Sequence, residues 1–369
     1  MQRHIDQNLL AGTVSLIARH GKVVHLEAQG FSDKDAGVPM GTDNIFTIMS
    51  MTKPIVSTAL MMLFEEGRFR LDDPIADWIP EYEDHMVRVT VGPRQRRVRE
   101  ARPVTIRHVL THTSGLTLSP NGAGLSEADR RWVTNDGEPF ATLGERVARA
   151  ARIPAAFHPG DHWQYGSSTD YVAVLVEKMS GMTIDAFLRE RIFEPLGMKD
   201  TAFFPTKDRM PRVVTLYNRT PNGLARREVP GWVDTTTLFS GGGGLWSTAE
   251  DYLQFAQMLV NGGALGGTRL LGLRTVDLMA ANHVGDLFAN AGATGGRAGM
   301  GFGLTVDVVL DAVKARQHRS TGSFGWGGAF GTNFWVDRAE EMTGVLMVQT
   351  PGGSLRADFQ NAVMQAIID

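Results

Sequence analysis

Cysteine is absent from the 369 residues. Its absence excludes disulfides, thiolate nucleophiles and cysteine-based zinc sites, and it is compatible with any redox compartment. No apolar run is long enough to cross a bilayer. The start, MQRHIDQNLLAGTVSLIARHG, lacks a basic segment leading into a long apolar stretch and a cleavage site, so no secretory leader is expected. A cytoplasmic protein with no membrane partner is the expectation. Neither sign of charge dominates: 37 Lys and Arg against 40 Asp and Glu leave a net charge of -3. That balance predicts no nucleic-acid partner.

Several catalytic signatures are missing too. There is no G-x-S-x-G, so the α/β-hydrolase elbow is excluded. His108 and His112 in HVLTH have zinc-ligand spacing, but no glutamate follows His108, so the metalloprotease signature fails. A helix end leading into the turn HTSGL accounts for that pair, and a Pro-Gly turn accounts for His158 and His162. GGGG at 241–244 lacks the lysine and hydroxyl residue of a phosphate loop and reads as close packing or site lining.

What is present suffices for a large core. Hydrophobic residues make up 43% of the chain, enough for one large domain or two modest ones. GTVSLIARHGKVVHLEAQG reads as two strands joined at His20-Gly21. In TIMSMTKPIVSTALMMLFEEG, Ile55, Val56, Ala59, Leu60, Leu63 and Phe64 recur at helical spacing and Gly67 supplies a stop. Pro54 falls in the first turn, where its missing N–H costs little. From about Leu71 to Pro205 the patterns are mostly helical. One exception, MVRVTVGPRQRRVREARPV, alternates around Gly-Pro and reads as a solvated hairpin carrying Arg94, Arg96, Arg97, Arg99 and Arg102. After Pro205, Ser247 with Glu250 forms an expected capping box for a helix stopping at Gly262. GMGFGLTVDVV, GTNFWVDR and MTGVLMVQT read as strands, and LRADFQNAVMQAIID as a closing helix. Strands at both ends around a helical middle predict one sheet built from both termini.

Three short segments could carry chemistry. Ser50 and Lys53 stand at i, i+3 on a helix start, so they share a face. A lysine can activate a serine hydroxyl, and the helix N-terminus favours developing negative charge. With fifteen serines and seven lysines, about 0.3 such pairs arise by chance, so the pair alone is weak. Tyr165, in YGS before a helix, could ionise beside a lysine and act as acid or base; a structural hydrogen bond is the alternative. In Trp326-Gly327-Gly328-Ala329 the glycines let backbone approach a ligand, so an N–H could hold an oxyanion; a tight turn is the alternative.

Together, and in this order, MSMTK, YGS and WGG resemble the motifs of the serine β-lactamase/penicillin-binding-protein superfamily. The likeness is greatest to class C β-lactamases and family VIII carboxylesterases. HVLTHTSGL, PLGMKDTAF and GGGGLWSTAEDYLQFAQML are also phrases of that family, and the match runs along nearly the whole chain, with a short N-terminal helix. The resemblance implies an α/β (α+β) fold with a central antiparallel sheet flanked by helices. Residues 1–70 and 206–369 would form that domain and 71–205 an all-helical insertion, with the site between them. It assigns Ser50 as nucleophile, Lys53 and Tyr165 as proton carriers, and the N–H groups of Ser50 and Ala329 as oxyanion hole. Ser167, Trp326, Gly327 and Gly328 would contact substrate, Ser167 also as a partner of Lys53. Neither metal nor cofactor is implied, and the substrates are a small-molecule ester and water.

One departure points to the substrate. Where the lactamases begin the third motif with lysine, this chain has Trp326, as in esterases of the family. Loss of that cation disfavours an anionic substrate. Ester hydrolysis with short acyl chains is therefore expected. A β-lactamase or D-amino-acid peptidase, an acyltransferase and a non-catalytic binding protein are the alternatives. Residues 118–138 and 284–300, and Trp163, Trp232 and Trp246, could shape the cleft.

Overall fold

Along Gly12–Arg19 (β1), Val14, Leu16 and Ala18 alternate with Thr13, Ser15 and Ile17, the period of a strand. The structure, a computed structural model, sends the two sets to opposite sides. Val14, Leu16 and Ala18 enter the larger core; Ile17 joins Trp335, Leu346, Val348, Leu355 and Phe359 in a smaller one. The described residues are 1–91, 94–118, 127, 140–227, 237–292 and 295–368.

β1 turns back into Lys22–Asp33 (β2) at His20 and Gly21, whose φ values are 52° and 70°. Positive φ at both central residues matches the right-handed strand twist, and glycine bears it without strain. The other strands of the same sheet are Val38–Pro39 (β3), Met300–Phe302 (β4), Asp307–Val309 (β5), Phe324–Gly327 (β6), Asn333–Asp337 (β7) and Met342–Val348 (β8). They form an 8-stranded sheet in the order β4-β5-β6-β7-β8-β1-β2-β3. Every pairing is antiparallel. β1 meets β8 from Thr13↔Val348 to Arg19↔Met342. The two ends of the chain are thus joined at the centre of the sheet.

Helices cover both faces. Ala249–Val260 (α3) packs on β1, β7 and β8, with Tyr252 and Phe255 against Phe334. Leu355–Gln365 (α4) lies on the opposite face, its Phe359 edge-on to Trp335. Trp335 stands across from Gly344 in the ladder and its ring lies over that residue. A β-carbon there would run into the ring. Gly344→Ala is expected to lower unfolding free energy by about 1–3 kcal/mol, the usual cost of overpacking, read from urea melts.

The helix after Ser50 is Thr52–Glu65 (α1), where the helical spacing of apolar residues predicts one. The structure buries Thr52 through Leu63 on all sides. Its neighbour Ser168–Ser180 (α2) packs along it and closes at Gly181, in the left-handed region at φ 73°. Residues 71–205 are not all helical. Met86–Val91 pairs with Arg94–Arg99 as the hairpin read from the alternation. Arg96, Arg97 and Arg99 are exposed, Arg99 pairs with Asp84, and Arg102 pairs with Asp161 at 2.9 Å.

Three local expectations need correction. GMGFGLTVDVV is two short strands, β4 and β5, because the chain reverses through Thr305 at φ 68°. The α3 cap is Thr248, accepting from Asp251 N at 3.1 Å, not Ser247 with Glu250. Ser247 belongs to a short strand pairing with Phe46–Thr47, which delays the helix by one residue. α4 ends at Gln365 rather than running to the C-terminus. Trp232, and residues 119–126 and 128–138 of the expected cleft loop, lie outside the described residues. No described helix is long and apolar enough to cross a membrane.

Candidate active site

The tight turn Met49–Met51 carries Ser50 directly into α1. Met49 holds φ 45°, an uncommon conformation for a non-glycine residue, immediately before the serine. One helical turn on, Lys53 is 3% exposed. Its Nζ donates to Ser50 Oγ at 3.2 Å and to the Gly242 carbonyl at 2.5 Å. The same Nζ is 4.9 Å from the centre of the Tyr165 ring. The structure therefore brings Ser50, Lys53 and Tyr165 together, Ser50 and Lys53 by their i, i+3 spacing and Tyr165 from far along the chain.

Tyr165 is half-buried, just before α2. Burial opposes ionisation of its hydroxyl. The Lys53 charge and hydrogen bonding from Lys53, Ser50 and Trp326 overcome that opposition, and the pKa lies below the ordinary tyrosine value. The Trp326 indole N–H makes no bond of good geometry, yet it lies close enough to favour the phenolate. Behind the phenol sits His112, buried and edge-on to it at 5.0 Å between ring centres. Burial, and secondarily the Lys53 charge, hold that imidazole well below its usual pKa and keep it neutral.

The third segment closes the site. β6 ends at Gly327, and the turn to β7 runs against the residues before Ser50. Gly328 N–H donates to the Thr332 carbonyl at 2.8 Å, and Thr332 Oγ1 to the Ile48 carbonyl at 3.4 Å. A side chain on Gly328 would strike both Thr332 and the Ile48 carbonyl, so only glycine lets the turn approach. Ala329 is exposed at its tip, and its N–H donates to no group among the described residues. The Ser50 N–H likewise meets no carbonyl in the surrounding turns and loops. Both residues line one cleft of about 490 Å³ with Tyr165, Trp326, Asp307 and Arg356.

Arg356 escaped the sequence reading. It lies over Gly327, donating to the Gly331 carbonyl at 3.2 Å and to the Gly328 carbonyl. The cleft therefore still contains a cation although Trp326 stands in place of lysine, but that cation is engaged with the turn. Asp307 lines the same cleft and pairs with Arg319 at 3.4 Å. Burial raises the Asp307 carboxyl pKa, against the opposing pull of Arg319, Arg356 and Arg297.

Two expected contacts fall elsewhere. Ser167 does not reach Lys53; its hydroxyl makes no hydrogen bond among the described residues, and the Gly242 carbonyl is the second partner of the lysine. Trp246 is a core residue, 2% exposed. Trp163 packs behind the site with Tyr165, Phe288 and Phe302, which ties the 284–300 segment to the cleft wall. His108 caps its own helix with Thr105, and burial lowers its pKa to about 4. No cluster of metal-ligating side chains occurs among the described residues.

Comparison with known proteins agrees with this geometry. Residues 1–367 match the family described as Beta-lactamase. The chain is 34% identical over 357 residues to Protein Rv1367c of Mycobacterium tuberculosis, covering 93% of this chain and 87% of that protein. It is 32% identical over 384 residues to Esterase EstB of Burkholderia gladioli, covering 98% and 92%. Its fold superposes on EstCE1, a hydrolase with promiscuous acyltransferase activity, with a TM-score of 0.83 at 26% identity over 98% of this chain and 96% of that one.

Proposed function

The chain belongs to the beta-lactamase family, and from that premise we propose that it is a serine carboxylesterase working through an acyl-enzyme on Ser50. The observation that carries this reading is the buried Lys53 ammonium shared between Ser50 Oγ, at 3.2 Å, and the Tyr165 ring. The likeness to Esterase EstB supports ester over amide substrates.

In this reading the site lies between residues 1–70 with 206–369 and the insertion 71–205. Tyr165, as phenolate, takes the proton from Ser50 Oγ as the oxygen attacks the ester carbonyl. Lys53 remains cationic and holds both oxygens in place. The oxyanion is held by the N–H groups of Ser50 and Ala329. Tyr165 then gives the proton to the departing alkoxide, and an alcohol leaves. Water enters, Tyr165 takes its proton as the oxygen adds to the acyl carbon, and the bond to Ser50 breaks with that proton returned from Tyr165 to Ser50 Oγ, so the acyl group departs as a carboxylic acid and the phenolate is restored. Trp326, with Gly327 and Gly328, forms an uncharged wall against the acyl group, which suits short, neutral chains. In this reading Ser167, two residues after Tyr165, contacts the substrate rather than the lysine.

The direct test compares p-nitrophenyl butyrate with nitrocefin. The ester is expected to give a burst of nitrophenol when deacylation is slow. Its kcat/KM is expected to exceed that of nitrocefin by at least about 100-fold, the scale on which an unmatched polar group discriminates between substrates. Faster nitrocefin turnover would assign a lactamase instead. Transfer to an alcohol is a second reading, favoured by the likeness to EstCE1. Ester products formed when methanol is added would reveal it.

A further inference from the structure

The glycine turn at 241–244 has a fastening at each end. At its exit, Leu245 N–H donates to Thr52 Oγ1 at 3.1 Å, and the Leu245 carbonyl accepts from Ile48 N–H at 3.0 Å. Both contacts tie it to the start of α1. At its entry stands Asp170, in the first turn of α2 and 5% exposed. An acid in a first helical turn commonly serves the N–H groups of its own helix. This one turns away from its helix. Its Oδ1 accepts from Ser240 Oγ at 2.8 Å and from Gly242 N–H at 3.0 Å. The carbonyl of that same Gly242 accepts from Lys53 Nζ at 2.5 Å.

We propose that Asp170 is a positioning residue for the nucleophile. By fixing Gly242 it holds the carbonyl that orients Lys53, and through Lys53 it sets the geometry of Ser50 and Tyr165. Residue 242 is wedged between the two charged groups. A β-carbon placed on it would lie 3.5 Å from Asp170 Oδ1 and 3.6 Å from Lys53 Nζ. Gly241 rests directly on α2, against the Thr169 carbonyl and the Ala173 side chain, so the turn follows that helix closely. An ammonium has three donors and no acceptor. One goes to Ser50 and one to Gly242, which leaves the third for Tyr165. Releasing Gly242 removes the one fixed backbone anchor of the lysine and lets the reacting atoms drift, and displacement of about 1 Å can cost about 100-fold in rate.

This inference rests on the acyl-enzyme reading of Ser50, and the test separates the two. Stopped-flow bursts with p-nitrophenyl butyrate give the number of active sites from the amplitude and the acylation rate from the time constant. Asp170→Ala is expected to lower the acylation rate per active site by about 100-fold, on the same argument from displacement, with KM changing far less. Asp170→Asn keeps an oxygen for Ser240 and Gly242 and is expected to recover most of the rate. Should Asp170→Ala fail to fold, Asp170→Ser leaves a hydroxyl too short to reach both donors and is expected to show the same loss. Wild-type acylation per active site in Asp170→Ala or Asp170→Ser overturns the proposal, because a merely structural residue would lower only the amplitude. So does an Asn variant as slow as Ala, since charge rather than position would then matter. Ser50→Ala, run alongside, is expected to give no burst; a burst there overturns the nucleophile reading itself and this inference with it.

Discussion

Ser50→Ala eliminates covalent labelling by a fluorophosphonate probe and lowers p-nitrophenyl butyrate hydrolysis by on the order of 10⁴–10⁶-fold, the range found when a nucleophile is removed from a cooperating set. The expectation follows from the contacts. Ser50 Oγ is hydrogen-bonded to Lys53 at 3.2 Å and lines the same cleft as Ala329. On the acyl-enzyme reading, removing the oxygen leaves Tyr165 and the proposed oxyanion donors intact, with no atom to carry the acyl group. Folding should be untouched, because Ser50 is only half-buried and a methyl group fits where its Cβ now stands. A melting curve matching the wild type would complete the result. Retained labelling would mean that another residue is the nucleophile.

Tyr165→Phe is expected to lower the acylation rate by about 10³-fold, within the span of general-base contributions. The pH profile is the sharper readout. The Tyr165 pKa is depressed: burial works against ionisation, and the Lys53 charge together with hydrogen bonding from Lys53, Ser50 and Trp326 outweighs it. A depressed pKa means that the phenolate is populated above that value and lost as pH falls through it. Wild-type kcat/KM should therefore decline towards acid along a limb lying below the ordinary tyrosine range. The Phe variant should lack that limb, because it has no group to titrate there. His112 lies against the phenol, but burial keeps it neutral well below its usual pKa. An unchanged limb in Tyr165→Phe would assign the base elsewhere.

One pair in this site was legible in the sequence because it is local, while Tyr165 and the Trp326 turn were placed through resemblance. Ser50 and Lys53 are three residues apart, and helical geometry alone puts them on one face. The β1–β2 turn at His20-Gly21 was legible for the same reason, since turn chemistry acts over a few residues. The full enclosure of α1 was not legible, because periodicity records one neighbouring layer while Thr52 through Leu63 are all buried. Asp170 and Arg356 could not be read. Each acts on a backbone carbonyl or N–H far along the chain, and neither Gly242 nor Gly328 carries a side chain to mark the contact. The only trace was indirect: two glycine clusters, each a place where backbone can come close. Ser167 was assigned to Lys53 by likeness, and the Gly242 carbonyl fills that role without leaving any mark in residue type.

The turn that rests on the Ile48 carbonyl has a consequence for biosynthesis. Thr332 and Ile48 are 284 positions apart in the chain. Ser50 and Lys53 leave the ribosome early, but the Ala329 N–H comes late, and its strand is aligned through β8, which pairs with β1. Contacts of such separation form only after a large loop has closed. A chain interrupted before its last strands would hold Ser50 and Lys53 without the strand partners that align Ala329. On the acyl-enzyme reading, activity then arrives only once β8 has paired with β1.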